Sequence, residues 1–332
     1  MKNKKKILIT GGSGYIGSCF AKYLKKKYKI FTIDKRNKNP FLKEKSIVHI
    51  KCDLCNYIKL KKKIQIIKPN IIVHLAAQST IDFIDKKKKF YFKNNIIGTN
   101  NIVQISNDFK VEKFIFASTA SVYKHKNSKL TEKDKVFPNN IYGKTKSINE
   151  EYIISNFNSS YTKYCILRFF NVCSSLNREI GEFHNPETHL IPKVINSLIF
   201  NKKITIYGNK FKTIDGTCVR DYIHIKDIVH GIEKSIKYLN KKKSGIFNLG
   251  SGHGNSVLKI IKHGSKIVRK NPIIKLDIKR KGDLEKLVCS ISKARKKLKW
   301  SPKYSNINTI IKDEIKWQLF LKRQKLRRFF YN

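Results

Sequence analysis

A glycine-punctuated turn between an apolar run and a helical stretch constrains this chain more than any other feature. Thr10, Gly11, Gly12, Ser13, Gly14, Tyr15, Ile16 and Gly17 follow the run KILIT (residues 6–10) and open a segment of helical periodicity over residues 15–27. Glycines 11, 14 and 17 have the spacing GxxGxxG, and 12, 14 and 17 also satisfy GxGxxG. A backbone that turns this sharply and approaches a pyrophosphate closely must lack Cβ atoms there. The helix that follows aims its free N–H groups at the anion. Any tight turn is glycine-rich, so the setting carries the argument: strand before, helix after, and an acid at the end of the next strand.

That acid is Asp34, which closes the apolar run at residues 30–33, twenty positions past Gly14. A carboxylate there accepts hydrogen bonds from ribose hydroxyls and repels a 2′-phosphate, which selects NAD over NADP. Lys35 and Arg36 follow directly and soften that preference.

The alternation continues. Strands are expected at residues 46–50, 70–76, 113–118 and 163–169, with helices through about residue 67, over 90–107 and over 140–155. This βα alternation predicts a Rossmann-type, doubly wound parallel sheet in an α/β protein. Beyond about Asn171 the pattern loosens. A helix is expected over residues 190–200, short strands at 204–207 and within 213–222, and a long helix over 309–327. The chain therefore divides into an NAD-binding domain, residues 1–172, and a smaller mixed α/β substrate domain, residues 173–332, with some chain crossing back.

Composition excludes more than it identifies. With 72 Lys+Arg against 23 Asp+Glu the net charge is +49, which raises the question of a polyanionic partner. Only ten of the 72 basic residues are arginine, and the lysines lie in scattered short runs such as 4–6, 61–63, 86–89 and 241–243. Nucleic-acid readers concentrate basic residues on one element and use arginine for bases. The abundance of Lys, Ile, Asn, Phe and Tyr matches AT-rich codon usage, and no specific nucleic-acid partner is expected. No stretch reaches the roughly 18 apolar residues of a membrane helix. Seven unevenly spaced cysteines fit a reducing, cytoplasmic compartment, and the lone pair Cys52/Cys55 has no second half to complete a zinc site. His74, His224 and His230 read as packed histidines, so no metal is expected.

The catalytic candidates lie after the fifth strand. Tyr142 and Lys146, at i and i+4, share one helical face, where an ammonium lowers a phenol's pKa. In so lysine-rich a chain the pattern also arises by chance, as at Tyr23/Lys27 and Tyr57/Lys61. What distinguishes Tyr142 is the preceding Ser118-Thr119-Ala120-Ser121, whose hydroxyls fall at the carboxyl end of a sheet strand, where such folds bind ligands.

Residues 10–18 (TGGSGYIGS), the Ser/Thr run before Val122 and Tyr123, and residues 142–146 (YGKTK) together resemble the extended short-chain dehydrogenase/reductase superfamily. Residues 167–171 (LRFFN), 187–192 (ETHLIP), 215–224 (DGTCVRDYIH), 247–250 with 254–257, and 280–283 resemble segments of the UDP-glucose 4-epimerases within it. The likeness spans about residues 6–316.

It implies interconversion of UDP-galactose and UDP-glucose through a transient 4-keto sugar, with tightly bound NAD, in a homodimer. Tyr142 is implied as the base at the sugar O4, Lys146 as the group that holds the nicotinamide ribose and depresses the tyrosine pKa, and Thr119 as a hydrogen-bonding partner of the same hydroxyl. Gly11, Gly14, Tyr15, Ile16, Gly17 and Asp34 are implied at the dinucleotide, with Asp53 and Leu54 at its adenine. Ala76, Ala77, Asn94 and Phe169 line it. Asn171, His189 and Leu190 hold the nucleotide sugar, Arg220 and Arg280 its diphosphate, and Asp283 its uridine ribose.

Two positions depart from the pattern or set its limits: Ser79 stands where some epimerases carry a phosphate-side lysine, and Leu287 falls near the residue that gates the sugar pocket. The alternatives are a UDP-N-acetylhexosamine, UDP-glucuronate or UDP-pentose epimerase, a sugar-nucleotide 4,6-dehydratase, and a basic nucleic-acid-binding protein. The dehydratase pattern places an Asp-Glu pair after the hydroxyl residue, where this chain has Ala120 and Ser121.

Overall fold

The computed structural model describes residues 4–79, 88–184, 186–240, 244–280 and 282–324. The end of the expected last helix, residues 325–327, the lysine run 241–243 and the first half of the run 86–89 lie outside the described residues.

The first strand, β1 (Lys6–Thr10), leads through the glycine turn into α1 (Tyr15–Leu24), β2 (Lys29–Asp34), β3 (Val48–Lys51), α2 (Tyr57–Ile67) and β4 (Ile71–His74). The next helical stretch is composite: α3 (Lys88–Tyr91), a π segment (Phe92–Ile97) and α4 (Gly98–Asp108). Then come β5 (Lys113–Thr119), α5 (Ile141–Phe157) and β6 (Lys163–Phe169). Short strands follow, β7 (Asn171–Cys173), β8 (Ser175–Asn177) and β9 (Ile180–Gly181), then α6 (Leu190–Phe200), β10 (Lys203–Tyr207), β11 (Val219–His224) and α7 (Ile225–Tyr238). The chain ends with β12 (Gly245–Leu249), β13 (Gly254–Ser256), α8 (Val257–Val268), β14 (Ile273–Asp277), β15 (Lys286–Leu287) and α9 (Ile307–Arg323).

Seven strands form one parallel sheet in the order β12-β6-β5-β4-β1-β2-β3. Its strands read as continuous apolar runs because both faces are covered. Ile7 and Ile9 point into a cluster with Phe20, Leu24, Ile228 and Ile232, whereas Leu8 points into another with Leu60, Ile64, Ile102 and Ile153. The winding reverses between β1 and β4, which opens a crevice at the carboxyl ends of those strands.

The later half packs α6, α8 and α9 around a third apolar cluster that includes Val194, Ile195, Ile260 and Ile310. Strand β11 organises it, pairing with β7 and β15 in parallel and with β13 antiparallel. The chain does cross back: β12 is the seventh strand of the large sheet, and α7 lies against α1. The strand expected within residues 213–222 starts only at Val219, because the Asp215 side chain turns the chain. Its Oδ1 accepts from the Thr217 N–H at 3.0 Å, and Gly216 has φ +73°.

Candidate active site

The glycine turn is built as the spacing requires. Gly11 has φ +70°, and a Cβ on it would lie 2.7 Å from the Ala76 nitrogen at the end of β4. A Cβ on Gly17 would lie 2.3 Å from the Gly11 carbonyl oxygen, so α1 seats directly on the turn. Gly14 is the N-cap of α1 and no side chain caps it. The first N–H groups of α1, from Tyr15, Ile16 and Gly17, are therefore left for an anion. An open helix N-terminus above a turn too tight for a Cβ at residues 11, 12 and 17 fits the diphosphate of NAD. The Tyr15 side chain does not face this cradle, because its hydroxyl donates to the Ser174 carbonyl at 2.6 Å.

Asp34 closes β2 with its carboxylate beside the turn. It accepts from the Ser13 N–H at 3.2 Å and from the Arg36 N–H at 3.0 Å, while the Arg36 guanidinium reaches both oxygens at 3.2 Å. Arg36 thus sets its guanidinium against the carboxylate read from the sequence as the ribose acid. Lys35 donates to Asn94 Oδ1 at 2.8 Å, tying Asn94 to the end of β2. Asp53 bonds the Cys55 N–H at 2.9 Å, and Asn56, not Asp53, caps α2. Leu54 is buried against Gly98 at the start of α4. Ala76 donates its N–H to Thr10 Oγ1 at 3.2 Å, and Ala77 follows it, partly buried, in the same crevice wall. Ser79 is exposed at the end of that described stretch.

Thr119, Tyr142 and Lys146 come together at the carboxyl end of β5. Thr119 is its last residue and caps the short turn Ala120–Val122. Asn140 caps α5, accepting from the Gly143 N–H at 2.8 Å, which sets Tyr142 in the first turn. A Cβ at 143 would lie 2.3 Å from the Ser121 carbonyl oxygen, so glycine there lets α5 approach the Thr119 turn.

Lys146 is buried, donates to the Ala117 carbonyl at 2.6 Å and lies 5.9 Å from the Tyr142 ring centroid. Burial pushes Lys146 down to about 7, with Glu150 holding it up. Burial also pushes the Tyr142 phenol up to about 12, and the Thr119 hydroxyl pulls it back. The depression of the phenol expected from Lys146 is not what governs it in the protein alone: desolvation raises it, and the same burial lowers Lys146.

Sequence reasoning missed the polar network beneath this site. Arg168 on β6 forks onto Glu150 of α5 at 2.6–3.2 Å, and the Ser118 hydroxyl donates to the same carboxylate. Asn95, turned inward by the π segment, bonds Gln78 N–H at 2.7 Å and Thr145 Oγ1 at 3.0 Å, linking the wall after β4 to α5. His74 is packed as expected, between Thr10 Oγ1 at 2.6 Å and Thr99 Oγ1 at 2.9 Å, and burial lowers it to about 3. Acids and amides embedded in apolar helices carry no spacing signature, so only the fold reveals these partners.

The nucleotide-sugar candidates approach from the second half. Phe169 pairs with Thr119 in register, and exposed Asn171 follows on β7. Arg220 lies on β11 with Leu287 as its β15 partner. It donates to the Leu284 carbonyl at 2.7 Å and contacts Asp283 at 3.6 Å, not Asp221. Arg220 does not pair with its neighbour Asp221, since adjacent strand residues face opposite ways and Asp221 binds Ser251 and Gly252 instead. The Arg280 guanidinium stacks 3.7 Å from the Tyr207 ring centroid. Asn139, just before α5, donates to the Gly282 carbonyl at 3.2 Å, which joins this loop to the start of α5. His189 stands at the N-cap position of α6 ahead of Leu190 without capping it, and the Glu182 carboxylate beside it raises it to about 9.

Comparison with known proteins gives a consistent result. The pattern of the NAD dependent epimerase/dehydratase family matches residues 7–250. A UDP-glucose 4-epimerase of Lactobacillus helveticus is 34% identical over 323 residues, covering 94% of this chain and 96% of the relative. A solved UDP-glucose 4-epimerase superposes with a TM-score of 0.90 at 34% identity, covering 97% of this chain and 98% of that one. The UDP-glucose 4-epimerase of Bifidobacterium longum, solved with NAD+ and UDP, superposes with a TM-score of 0.88 at 26% identity, over 95% and 98% of the two chains.

Proposed function

This chain belongs to the NAD dependent epimerase/dehydratase family, and from that premise we propose that it interconverts UDP-galactose and UDP-glucose. The observation that carries the reading is one juxtaposition. Thr119, Tyr142 and Lys146 meet at the carboxyl end of β5, beside the glycine cradle and opposite Phe169 and Asn171. The enzyme depends on NAD, held by the N-terminus of α1, Asp34 and the wall at Ala76 and Ala77. When bound, NAD supplies a hydride acceptor that returns the same hydride, so the reaction has no net redox change.

The chain's own residues position the sugar and move its proton. Tyr142 takes the proton from the sugar O4 and gives it back to the epimer, with the Thr119 hydroxyl bonding the same oxygen. Lys146 sits one helical turn away, where its ammonium answers the charge that forms on the phenol. Arg220 and Arg280 anchor the diphosphate, a natural use of the guanidinium fork, while the sugar turns. Asn171, His189 and Leu190 hold the nucleotide sugar and Asp283 its ribose. Ala120 and Ser121 offer no acid to eliminate water, which supports epimerisation over 4,6-dehydration.

We further propose a division at about residue 172 between cofactor and substrate halves, a cytoplasmic location and a homodimer. Seven free thiols support the reducing compartment. Exposed Phe92, Ile97 and Ile148 supply apolar surface for a partner subunit. Among the described residues no helix is long and apolar enough to cross a membrane.

The test is direct. The purified protein is incubated with UDP-galactose and no added nucleotide, and UDP-glucose is the expected product. Absence of conversion even with NAD supplied would overturn the reading.

A further inference from the structure

We infer that Glu182, His184, Glu187 and His189 form a binding site for a divalent metal ion of the zinc type. The four side chains each offer one ligand atom, and all four atoms lie within 4.8 Å of one another. His184 Nδ1 is 3.6 Å from Glu182 Oε1 and 3.7 Å from Glu187 Oε1. His189 Nδ1 is 3.9 Å from Glu187 Oε1 and is hydrogen-bonded to Glu182. Nitrogen and oxygen ligands at about 2.0–2.2 Å from a tetrahedral zinc ion are separated by roughly 3.3–3.6 Å. Shifts of a few tenths of an ångström in flexible side chains bring most of these edges into that range.

A second observation points to a ligand. The Glu182 side chain is fully buried, yet its Oε2 has no hydrogen-bond partner, and His184 Nδ1 is a buried nitrogen without one. A carboxylate oxygen and an imidazole nitrogen withdrawn from water need a partner. A protonated His189 satisfies one oxygen of Glu182 and leaves both of these atoms unmet. A metal ion held by His184 Nδ1 and the Glu182 carboxylate gives that nitrogen its partner and offsets the buried negative charge.

The surroundings are those of a held site. Glu187 Oε1 accepts the main-chain N–H groups of Thr188 and His189, each at 2.8 Å, which orients the carboxylate. The Glu182 carbonyl accepts from Trp317 Nε1 at 2.6 Å, fixing that backbone against α9. Half of the His189 side chain is exposed, at 51%, which gives an ion a path in. Two imidazoles with two carboxylates suit zinc better than magnesium or calcium, which take oxygen shells. Coordination through Nδ1 also leaves His189 Nε2 outside the metal shell. The sequence reading set aside His74, His224 and His230 and missed this group, because its ligands are spread over one irregular loop.

X-ray absorption at the zinc edge, on the full chain with one equivalent of zinc and no nucleotide, tests the assignment. We expect nitrogen and oxygen ligands only, with the multiple-scattering signature of imidazole. A sulfur shell near ~2.3 Å would place the ion on cysteines and overturn the proposal. Calorimetric titration with zinc should give one site, weakened more than ~100-fold by His184→Ala with Glu187→Gln. Unchanged affinity overturns the proposal. Should the double variant lose its far-ultraviolet dichroism, the near-isosteric Glu187→Gln alone is titrated, with a loss of at least ~10-fold expected and unchanged affinity again overturning it.

Discussion

Replacing Glu150 with glutamine tests the ion pair buried beneath Tyr142 and Lys146. The Glu150 and Arg168 side chains are 5% and 3% exposed, so solvent screening does not discount their interaction. Three guanidinium contacts of 2.6–3.2 Å from Arg168 Nε and Nη2 and the Ser118 hydroxyl converge on this one carboxylate, and Arg168 Nη1 has no hydrogen-bond partner. Glutamine keeps the shape and removes the charge, leaving a buried guanidinium uncompensated. Breaking such a pair from one side costs about 3–5 kcal/mol. At about 2–3 °C per kcal/mol for a chain of this size, the melting temperature should fall by about 6–15 °C. The same substitution removes the acid that raises the Lys146 pKa, so Lys146 should titrate below about 7. Thermal melts read the first effect and the pH dependence of turnover reads the second. Replacing Glu150 and Arg168 together by methionine should recover most of the lost stability, since a dry apolar pair removes the unpaired charge as well. A melt of Glu150→Gln within 2 °C of the native protein, or a double variant as unstable as the single one, would refute the reasoning.

Further perturbations have equally definite outcomes. Tyr142→Phe should cut turnover of UDP-galactose by about 10²–10⁴-fold with unchanged circular dichroism, and near-normal turnover would refute its role at O4. Gly12→Ala places a Cβ 2.3 Å from Thr32 Cβ, so it should destabilise by about 1–3 kcal/mol and weaken NAD retention. A variant with native stability and native NAD content would contradict the packing of the turn. Burial holds Lys146 at about 7 against an ordinary 10.5, so the unfolded chain binds more protons between those values and stability rises with pH across that window. In Lys146→Met that rise should be missing, and parallel stability curves for the two proteins would count against the burial argument. Finally, a +49 chain repels itself, so the melting temperature should rise as salt goes from about 10 mM to 150 mM, whereas equal melts would deny the repulsion.

The large sheet was legible in the sequence because parallel strands buried on both faces must be short apolar runs, and their spacing by helices leaves few topologies. The glycine turn, Asp34, Tyr142 and Lys146 were legible for a related reason, since each chemistry requires a residue type at a fixed spacing. Charge states were not. The phenol of Tyr142 is governed by its removal from water, which no spacing records. Nor were the partners of Arg220 legible, because Asp283 reaches it only through a loop 63 residues later. The π segment that turns Asn95 inward lay inside a stretch whose periodicity read as continuous helix.

The scarcity of acids explains where they are. In a chain with 23 acidic and 72 basic residues, every carboxylate has cations available at the surface, yet several are withdrawn into the interior. Asp227 accepts the N–H groups of Lys303 and Tyr304 and the Ser305 hydroxyl at 2.6–2.8 Å, fixing the turn before α9. Asp221 gathers Ser251, Gly252 and Cys289 in the same way. Glu233 joins α7 to α1 by accepting from Tyr23 and Lys27 at 2.7 Å. A carboxylate that receives several backbone or hydroxyl donors fixes a loop more firmly than a lysine pair on the surface can, because surface pairs are worth little. Drift toward lysine is therefore tolerable over most of the exterior, while the few interior acids hold together the loops and helices on which the site depends.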